Sequence, residues 1–380
     1  MKIPKGFNDA PNNVCKLKKA LYGLKQSPSC WNVTFTKFLN EQGLIQSKVD
    51  QCIFMNEKRT IILGIVVDDA LLIFKNEKTI SPLIKGLENR FKMTFEFDPK
   101  SYIGLTLERN SFGLKVSQPL YTRNLIRDYG FIDAKRVITP MVPTCSGSDI
   151  EKSKEGQTVN FPYRQAVGTL LFLSNKSRPD ISYAVSHASR YLENPTNENV
   201  IAVKRIIRYL KATPNDGIYF SKVDSEPQMN AYCDADYAGD PETRRSTSEM
   251  VIFLNKSPIM WSSRRQPIVT LSSTEAEYVS ACDCVKEVIY LKSLIKELTD
   301  KEISVRLYED NQSTIKLIKN GVMNKRSKHI DVRYKITHEK LRENVFKLCY
   351  CPSNLQIADI LTKPLGSESF NFLKNFVMGH

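Results

Sequence analysis

Phe35, Phe38 and Leu39 stand three and four positions apart inside LKKALYGLKQSPSCWNVTFTKFLNEQG, residues 17–43, and that spacing lines up side chains on one face of a helix. The stretch predicts two helical segments on either side of an interruption at residues 23–29, where glycine and proline break the period. The pattern then changes from helical to extended. Residues 51–56 and 60–74 read as strands, the second broken by Asp68 and Asp69 between TIILGIV and ALLIF. Two adjacent charges inside an apolar run predict a hairpin whose tip exposes both. Residues 80–91 return to the helical period, and 102–116 read as two strands joined at 110–113. Strands and helices in this order predict an α+β unit, not a chain of alternating βα units.

Periodicity vanishes over residues 139–160, TPMVPTCSGSDIEKSKEGQTVN, where Pro, Gly, Ser and charge are dense, as in a linker or exposed loop. Residues 161–213 are largely helical with a break at Pro195. Lys204, Arg205, Arg208 and Lys211 cluster there within two turns, as either a solvated face or a contact to backbone phosphates. From Gly217 onward, residues 218–221, 229–234 and 250–254 read as strands, with 259–262 continuing the sheet. A long helix follows at 273–298, with Thr274 or a neighbouring serine as its cap and Glu275 and Glu277 in its first turns. Next come a strand at 303–308, helices at 312–319 and 330–343, a strand at 345–350, and a helical tail from Leu355. The pattern divides the chain into residues 1–138, a linker at 139–160, a helical region at 161–216 and a final domain at 217–380.

Bulk numbers add three constraints. A chain of 380 residues exceeds what one core usually supports, so two or three domains are expected. The net charge of +14 would draw a polyanion such as nucleic acid, although many basic proteins bind none. Nine cysteines, scattered and odd in number, do not form a disulfide framework and fit a reducing compartment. The two Cys-x-Cys pairs read as buried or incidental thiols, because there are only four histidines and no flanking ligand pattern for zinc. Pro4, Gly6 and Pro11 exclude a signal-peptide reading of the start. No apolar run is long enough to span a bilayer, so no membrane partner is expected.

The candidate chemistry lies in four carboxylates at the ends of predicted elements. Asp234 ends the strand MNAYCD, Glu277 opens the following helix, Asp310 closes SVRLYED, and Asp359 lies near the start of the last helical stretch in LQIADILTK. If sheet edge and helices converge, these form one acidic cluster. Like charges packed closely repel and raise one another's pKa, and divalent magnesium or manganese removes that penalty by accepting hard oxygen ligands. Two such ions would activate water on one side of a phosphodiester and stabilise the leaving 3′-oxygen on the other. Ordinary surface acids give the same spacing. Asp68 and Asp69 read either as a solvated turn or as carboxylates holding metal against a nucleotide triphosphate.

Several blocks then resemble one family in order along essentially the whole chain: IPKGF, CKLKKALYGLKQSPSCWN, GIVVDDALLIF, YIGLTLERN, YRQAVGTLLFLSNKSRPDISYAV, VKRIIRYLKAT, YCDADYAGD, SPIMWSSRRQPIVTLSSTEAEYVSA, YEDNQSTIKL, KHIDVRYKITHEKL and ADILTKPL. The chain resembles the C-terminal part of the Pol polyprotein of Ty1/copia-type LTR retrotransposons. The resemblance implies an incomplete reverse-transcriptase palm and thumb followed by an RNase H-like mixed-sheet α/β domain. That domain would be a metal-dependent endonuclease cutting the RNA strand of RNA–DNA hybrids, with Asp234, Glu277, Asp310 and Asp359 as catalytic metal ligands. Glu277 is preferred over Glu275, which faces differently. His329 of KHIDVRY is implied either to aid product release or to support a local turn.

The resemblance also implies two Mg2+ ions, with Mn2+ as the alternative, an RNA–DNA hybrid and the remaining Pol domains as partners, and an intracellular place in cytoplasm or nucleus. Arg264, Arg265, Lys325, Arg326 and Lys328 would hold phosphates or simply form a solvated patch. Asp68 and Asp69 match the paired acids of the polymerase hairpin, where Val66 replaces the usual tyrosine. The family's remaining polymerase aspartate lies upstream of IPKGF, so RNA-directed DNA synthesis is expected only if that palm segment is supplied. A catalytically silent nucleic-acid-binding remnant is the competing expectation. Glu249 departs from the family pattern, where glycine precedes the next strand, and is expected to perturb the sheet without touching a ligand.

Overall fold

A computed structural model describes residues 3, 14–143, 161–223, 225–321 and 331–380. They form two compact units, residues 1–97 with 294–301, and residues 98–293 with 302–380.

In the first unit, helix α1 (Ser27–Glu41) packs on an antiparallel sheet of β1 (Leu44–Gln46), β2 (Ile53–Asn56), β3 (Ile61–Val66) and β4 (Asp69–Phe74), in that order, followed by helix α2 (Glu77–Phe91). Phe35, Phe38 and Leu39 are buried with Phe54, Leu63 and Ile80, so the helical stripe read from the sequence does face the core. The first of the two expected helical segments is absent. Leu17, Leu21 and Tyr22 are exposed, and with no core to bury them nothing offsets the ordering of that turn. The helix starts instead at Ser27 with Pro28 in its first turn, where the missing N–H is harmless. Strands β3 and β4 close as a hairpin whose last pair is Val66 opposite Asp69, and both Asp68 and Asp69 are exposed.

The second unit holds two sheets. One runs β5 (Ser101–Tyr102), β6 (Leu105–Asn110), β7 (Gly113–Ser117), β8 (Gly217–Ser221), all antiparallel. Strand β8 therefore pairs with β7, and residues 218–221 do not join the sheet formed by the strands after them, as the sequence suggested. Between β7 and β8 come α3 (Pro119–Asp128), α4 (Tyr163–Lys176), α5 (Ser182–Ser189) and α6 (Asn197–Ala212). The last is opened by a capping box in which Thr196 and Asn199 each bond the other's backbone. Helix α3 went unread in the sequence because its apolar residues are few, yet Leu125 and Ile126 reach the shared core.

The basic cluster on α6 is neither a free solvated face nor an open phosphate clamp. Arg205 donates to Thr139 at 2.9 Å, Arg208 to the Lys135 carbonyl at 2.7 Å and Lys211 to the Ala134 carbonyl at 2.7 Å, while Lys204 lies over the Phe161 ring. These side chains fasten the segment that leads into the expected linker, most of which, residues 144–160, lies outside the described residues.

The other sheet positions the acids. Its order is β11 (Ser257–Arg265), β10 (Thr247–Leu254), β9 (Gln228–Asp236), β12 (Ser304–Glu309), β13 (Lys347–Tyr350); β11, β10 and β9 are antiparallel, and β9, β12 and β13 parallel. Helix α7 (Ser273–Thr299) is buried on nearly every side from Glu275 to Cys282, which is why its sequence shows apolar residues all round and not a stripe. Helices α8 (Gln312–Asn320), α9 (Asp331–Arg342), α10 (Asp359–Thr362) and α11 (Ser367–Val377) complete the unit. The result is an α/β arrangement around a mixed sheet. Among the described residues no helix is long and apolar enough to cross a membrane.

Candidate metal centre

Three backbone elements deliver the acids. Strand β9 carries Asp234, the second turn of α7 carries Glu277, and Asp310 follows directly on β12. Each offers one carboxylate oxygen such that all three lie within 4.8 Å of one another. Local bonds hold this convergence. Ser280 Oγ on α7 lies 2.7 Å from the Asp234 carbonyl and 3.0 Å from the Glu249 carbonyl, tying helix to sheet. Gln356 donates to the Cys233 carbonyl at 2.9 Å, and Ser353 to Asp310 at 2.7 Å, fixing the segment that leads into α10.

Asp359, the first residue of α10, sits differently. It shares a hydrogen bond with Asp234, and its Oδ2 accepts an ion pair from Lys363 at 2.8 Å. Burial pushes its carboxyl up to about 7, aided by the Asp234 charge and opposed by the Lys363 bond. A hydrogen bond between two carboxyl groups needs a proton on one of them, so the pair is a proton-sharing contact when no cation is bound.

The electrostatics are those of a site short of positive charge. Burial, with Glu309, Asp234 and Asp310 nearby, pushes Glu277 up to about 12. Its Oε2 is buried with no hydrogen-bond partner. Behind these acids lies a layer not singled out as ligands in the sequence. Glu309 is fully buried, accepts from the Asn311 N–H at 3.1 Å and from the Cys233 thiol, and is raised well above the ordinary carboxyl range by burial. Glu249 sits directly opposite Asp234 in the β9–β10 pairing, is 1 % exposed, and is raised by burial and by Asp234 and Asp236. Strand alternation makes both legible: Glu309 shares parity with buried Val305 and Leu307, and Glu249 with buried Val251 and Phe253.

Glu275 is spent on local structure. Its Oε2 accepts from the Leu271 N–H at 2.7 Å, and Ser272, not Thr274, accepts from the Glu275 N–H at 3.2 Å. Arg265 pairs with Asp240 at 2.8 Å, whereas Arg264 is exposed. Asp68 and Asp69 lie in the other compact unit and belong to no candidate metal cluster among the described residues. His329, Lys325, Arg326 and Lys328 lie outside the described residues.

The donor set is all carboxylate oxygen, converging and partly unpaired, which fits a hard divalent cation and not a soft one. Comparison with known proteins agrees on lineage. The family described as reverse transcriptase (RNA-dependent DNA polymerase) matches residues 1–143. The chain is 36 % identical to the retrovirus-related Pol polyprotein from transposon TNT 1-94 of Nicotiana tabacum, over 100 % of this chain and 29 % of that one. It is 37 % identical to the corresponding polyprotein from transposon RE1 of Arabidopsis thaliana, over 97 % of this chain and 25 % of that one. The chain thus spans less than a third of the length of these relatives. Among solved structures, LC11-RNase H1 isolated from compost is 20 % identical and overlaps 38 % of this chain and 96 % of that one at a TM-score of 0.28. The sequence relationships decide the matter: the chain belongs to the Ty1/copia-like retrotransposon Pol polyproteins, with a reverse-transcriptase region at its start.

Proposed function

We propose that this chain is a metal-dependent ribonuclease H-type endonuclease that cleaves the RNA strand of RNA–DNA hybrids. The observation that carries the reading is the convergence of Asp234, Glu277 and Asp310 within 4.8 Å, on a mixed sheet, in a member of this family. These three carboxylates would hold one divalent ion, Mg2+ or Mn2+. Asp359 would help to hold a second once the Lys363 ammonium turns away. Bound there, such ions supply a Lewis acid to the phosphodiester and lower the pKa of an attacking water. Ser280 fixes the Asp234 backbone through its carbonyl, Ser353 orients the Asp310 carboxylate by donating to it, and Glu277 shields the cluster from bulk water by its burial. Recognition would rest on hybrid shape and 2′-hydroxyls, with the remaining Pol domains as further partners. The assignment of residues 1–138 to the C-terminal part of a reverse-transcriptase palm and the region after it, and of residues 161–216 to a helical thumb or connection, belongs to the same reading, without independent DNA synthesis.

A second reading, a nucleic-acid-binding chain without cleavage, is favoured by one feature: Lys363 already neutralises Asp359. The two readings separate in a single assay. Full-length chain is incubated with a defined RNA–DNA hybrid, with and without Mg2+, beside Asp234→Asn. Metal-dependent RNA cleavage that falls more than about 100-fold in the variant, beyond what loss of an outer-shell partner causes, establishes the nuclease. Binding without cleavage at any Mg2+ concentration establishes the silent binder.

A further inference from the structure

The four acids of the metal centre do not stand alike. Asp234, Glu277 and Asp310 bring carboxylate oxygens within 4.8 Å of one another, and Asp359 is not in that group. It already has a cation. Helix α10 stops at Thr362 because Lys363 precedes Pro364, a position that disfavours helix, and the backbone at Lys363 turns extended, with φ −144° and ψ 157°. The turn holds Lys363 to Asp359 twice: its N–H donates to the Asp359 carbonyl at 3.3 Å, and its ammonium to Asp359 Oδ2 at 2.8 Å. The buried Thr362 hydroxyl keeps that turn closed by donating to the Ala358 carbonyl at 2.9 Å.

Burial sets the direction of approach. The Asp359 side chain is 13 % exposed and that of Lys363 is 50 % exposed, so the ammonium lies on the water side of the carboxylate, where a hydrated ion would have to enter. Its charge is also felt by Asp234 and Asp310. Asp359 in turn shares a hydrogen bond with Asp234, so Asp234 belongs both to the three-acid group and to this pair. An ion held between Asp234 and Asp359 would need the seat that the ammonium occupies.

Magnitudes decide whether this is a block or a competition. A half-exposed ion pair is weak, because water screens it and the lysine chain loses freedom in forming it, so a divalent ion can break it. The short tether still returns the ammonium at an effective concentration on the order of millimolar. Two cations on one carboxylate also repel each other. The lysine therefore competes for Asp359 without sealing it.

We propose that Lys363 makes the two divalent ions unequal: the first binds Asp234, Glu277 and Asp310 without disturbing the lysine, and the second binds only by displacing its ammonium from Asp359. Lys363 is in this sense a positioning residue that sets the affinity of the second ion. The proposal rests on the metal-centre reading under the proposed function, but its test needs no nucleic acid and no cleavage. Full-length chain is titrated near neutral pH with Mn2+, and free ion is read from its electron paramagnetic resonance signal, which gives the number of bound ions and their separate affinities. Lys363→Met, with Lys363→Gln as a second neutral variant, is expected to bind the second Mn2+ about tenfold more tightly and the first unchanged. Lys363→Arg keeps the charge and is expected to bind like the wild type. Lys363→Met/Asp359→Asn is expected to lose the gained ion.

An unchanged second affinity in both neutral variants overturns the proposal. So does an equal gain in Lys363→Arg, which would trace the effect to loosened packing, or a gain that survives Asp359→Asn. Failure of the nuclease reading looks different: the neutral variants gain the second ion as expected, yet no form of the chain cleaves hybrid in Mg2+. Absence of any bound Mn2+ in every form removes the metal centre and this inference with it.

Discussion

Two pairs of neighbouring carboxylates in this molecule have opposite surroundings. Asp68 and Asp69 share a hairpin tip, both exposed to water. Asp234 and Glu277 come from different elements and are 6 % and 7 % exposed. Water screens the first pair, so adjacency there carries little electrostatic penalty. Burial leaves the second pair unscreened, and with Glu249 and Glu309 behind it the penalty is large unless protons or cations enter. Acid pairs adjacent in sequence are easy to notice, but it is acids brought together by the fold and held dry that have reason to bind a metal.

The widest gap between the two places should open on adding magnesium. In differential scanning fluorimetry, Mg2+ at about 100 times its Kd is expected to stabilise the chain by about 3 kcal/mol through Asp234, Glu277 and Asp310. Asp234→Asn/Asp310→Asn should abolish that shift, and with it any cleavage of hybrid. Asp68→Asn/Asp69→Asn should leave the shift whole. If the hairpin variant loses it instead, the contrast between the two places is wrong.

Acidity sharpens the same contrast. Glu277, raised to about 12, Asp359, raised to about 7, and Glu249 bind protons more tightly folded than unfolded. Between the unfolded carboxyl value near 4 and the folded values, the native state holds more protons, so stability falls as pH rises. Without metal, the melting temperature should therefore drop from about pH 5 to pH 8, by a few kcal/mol in free energy. Magnesium should flatten this slope by replacing protons with cations. Asp240, held well below the ordinary carboxyl range because its bonds from Thr243 and Arg265 outweigh burial, loses its contribution only in stronger acid and does not mask the effect. A metal-free melting temperature that rises across this window would show that the cluster is solvated.

How much of this was readable beforehand differs between elements. The helix at residues 27–41 announced itself through Phe35, Phe38 and Leu39, because a one-sided stripe is a local signal. Strand β8 did not reveal its partner, since Gly217–Ser221 has the same apolar look whichever sheet it joins, and pairing is decided by long-range packing. The four candidate ligands stood at predicted element ends, and the family resemblance singled them out. Glu309 and Glu249 were visible by strand parity but carried no meaning until the strands were placed side by side. Likewise the basic run on α6 could not disclose that Arg205, Arg208 and Lys211 hold residues 134–139, because their partners, two backbone carbonyls and the Thr139 hydroxyl, lie about seventy residues away.

Glu249 offers a smaller, purely structural test. Its two carboxylate oxygens are buried, with the Thr362 hydroxyl close by but outside good hydrogen-bond geometry, and a buried unpaired polar group costs about 1–3 kcal/mol. Methionine has nearly the same length and volume. Glu249→Met should therefore stabilise the metal-free chain by about 1–2 kcal/mol and lessen its loss of stability at high pH. Urea denaturation at pH 5 and pH 8 reads both. Destabilisation at both pH values would mean that the carboxyl is bonded into the sheet and that the acid layer behind Asp234 is a strut.

The smallest effect lies back at the hairpin. Val67 adopts φ +58° at the turn, a left-handed conformation that a β-branched side chain resists, and the Trp31 indole holds it there by donating to the Val67 carbonyl at 3.2 Å. Glycine removes the strain but adds freedom to the unfolded chain, so the two terms partly cancel. Val67→Gly is expected to raise stability by about 0.5–1 kcal/mol, and Trp31→Phe, which loses the indole donor, to lower it by a similar amount. Neither change should alter the magnesium shift, because the strain belongs to the exposed acids and not to the buried ones. A Val67→Gly variant that responded less to magnesium would tie the hairpin to the metal response and undo the separation between the two carboxylate pairs.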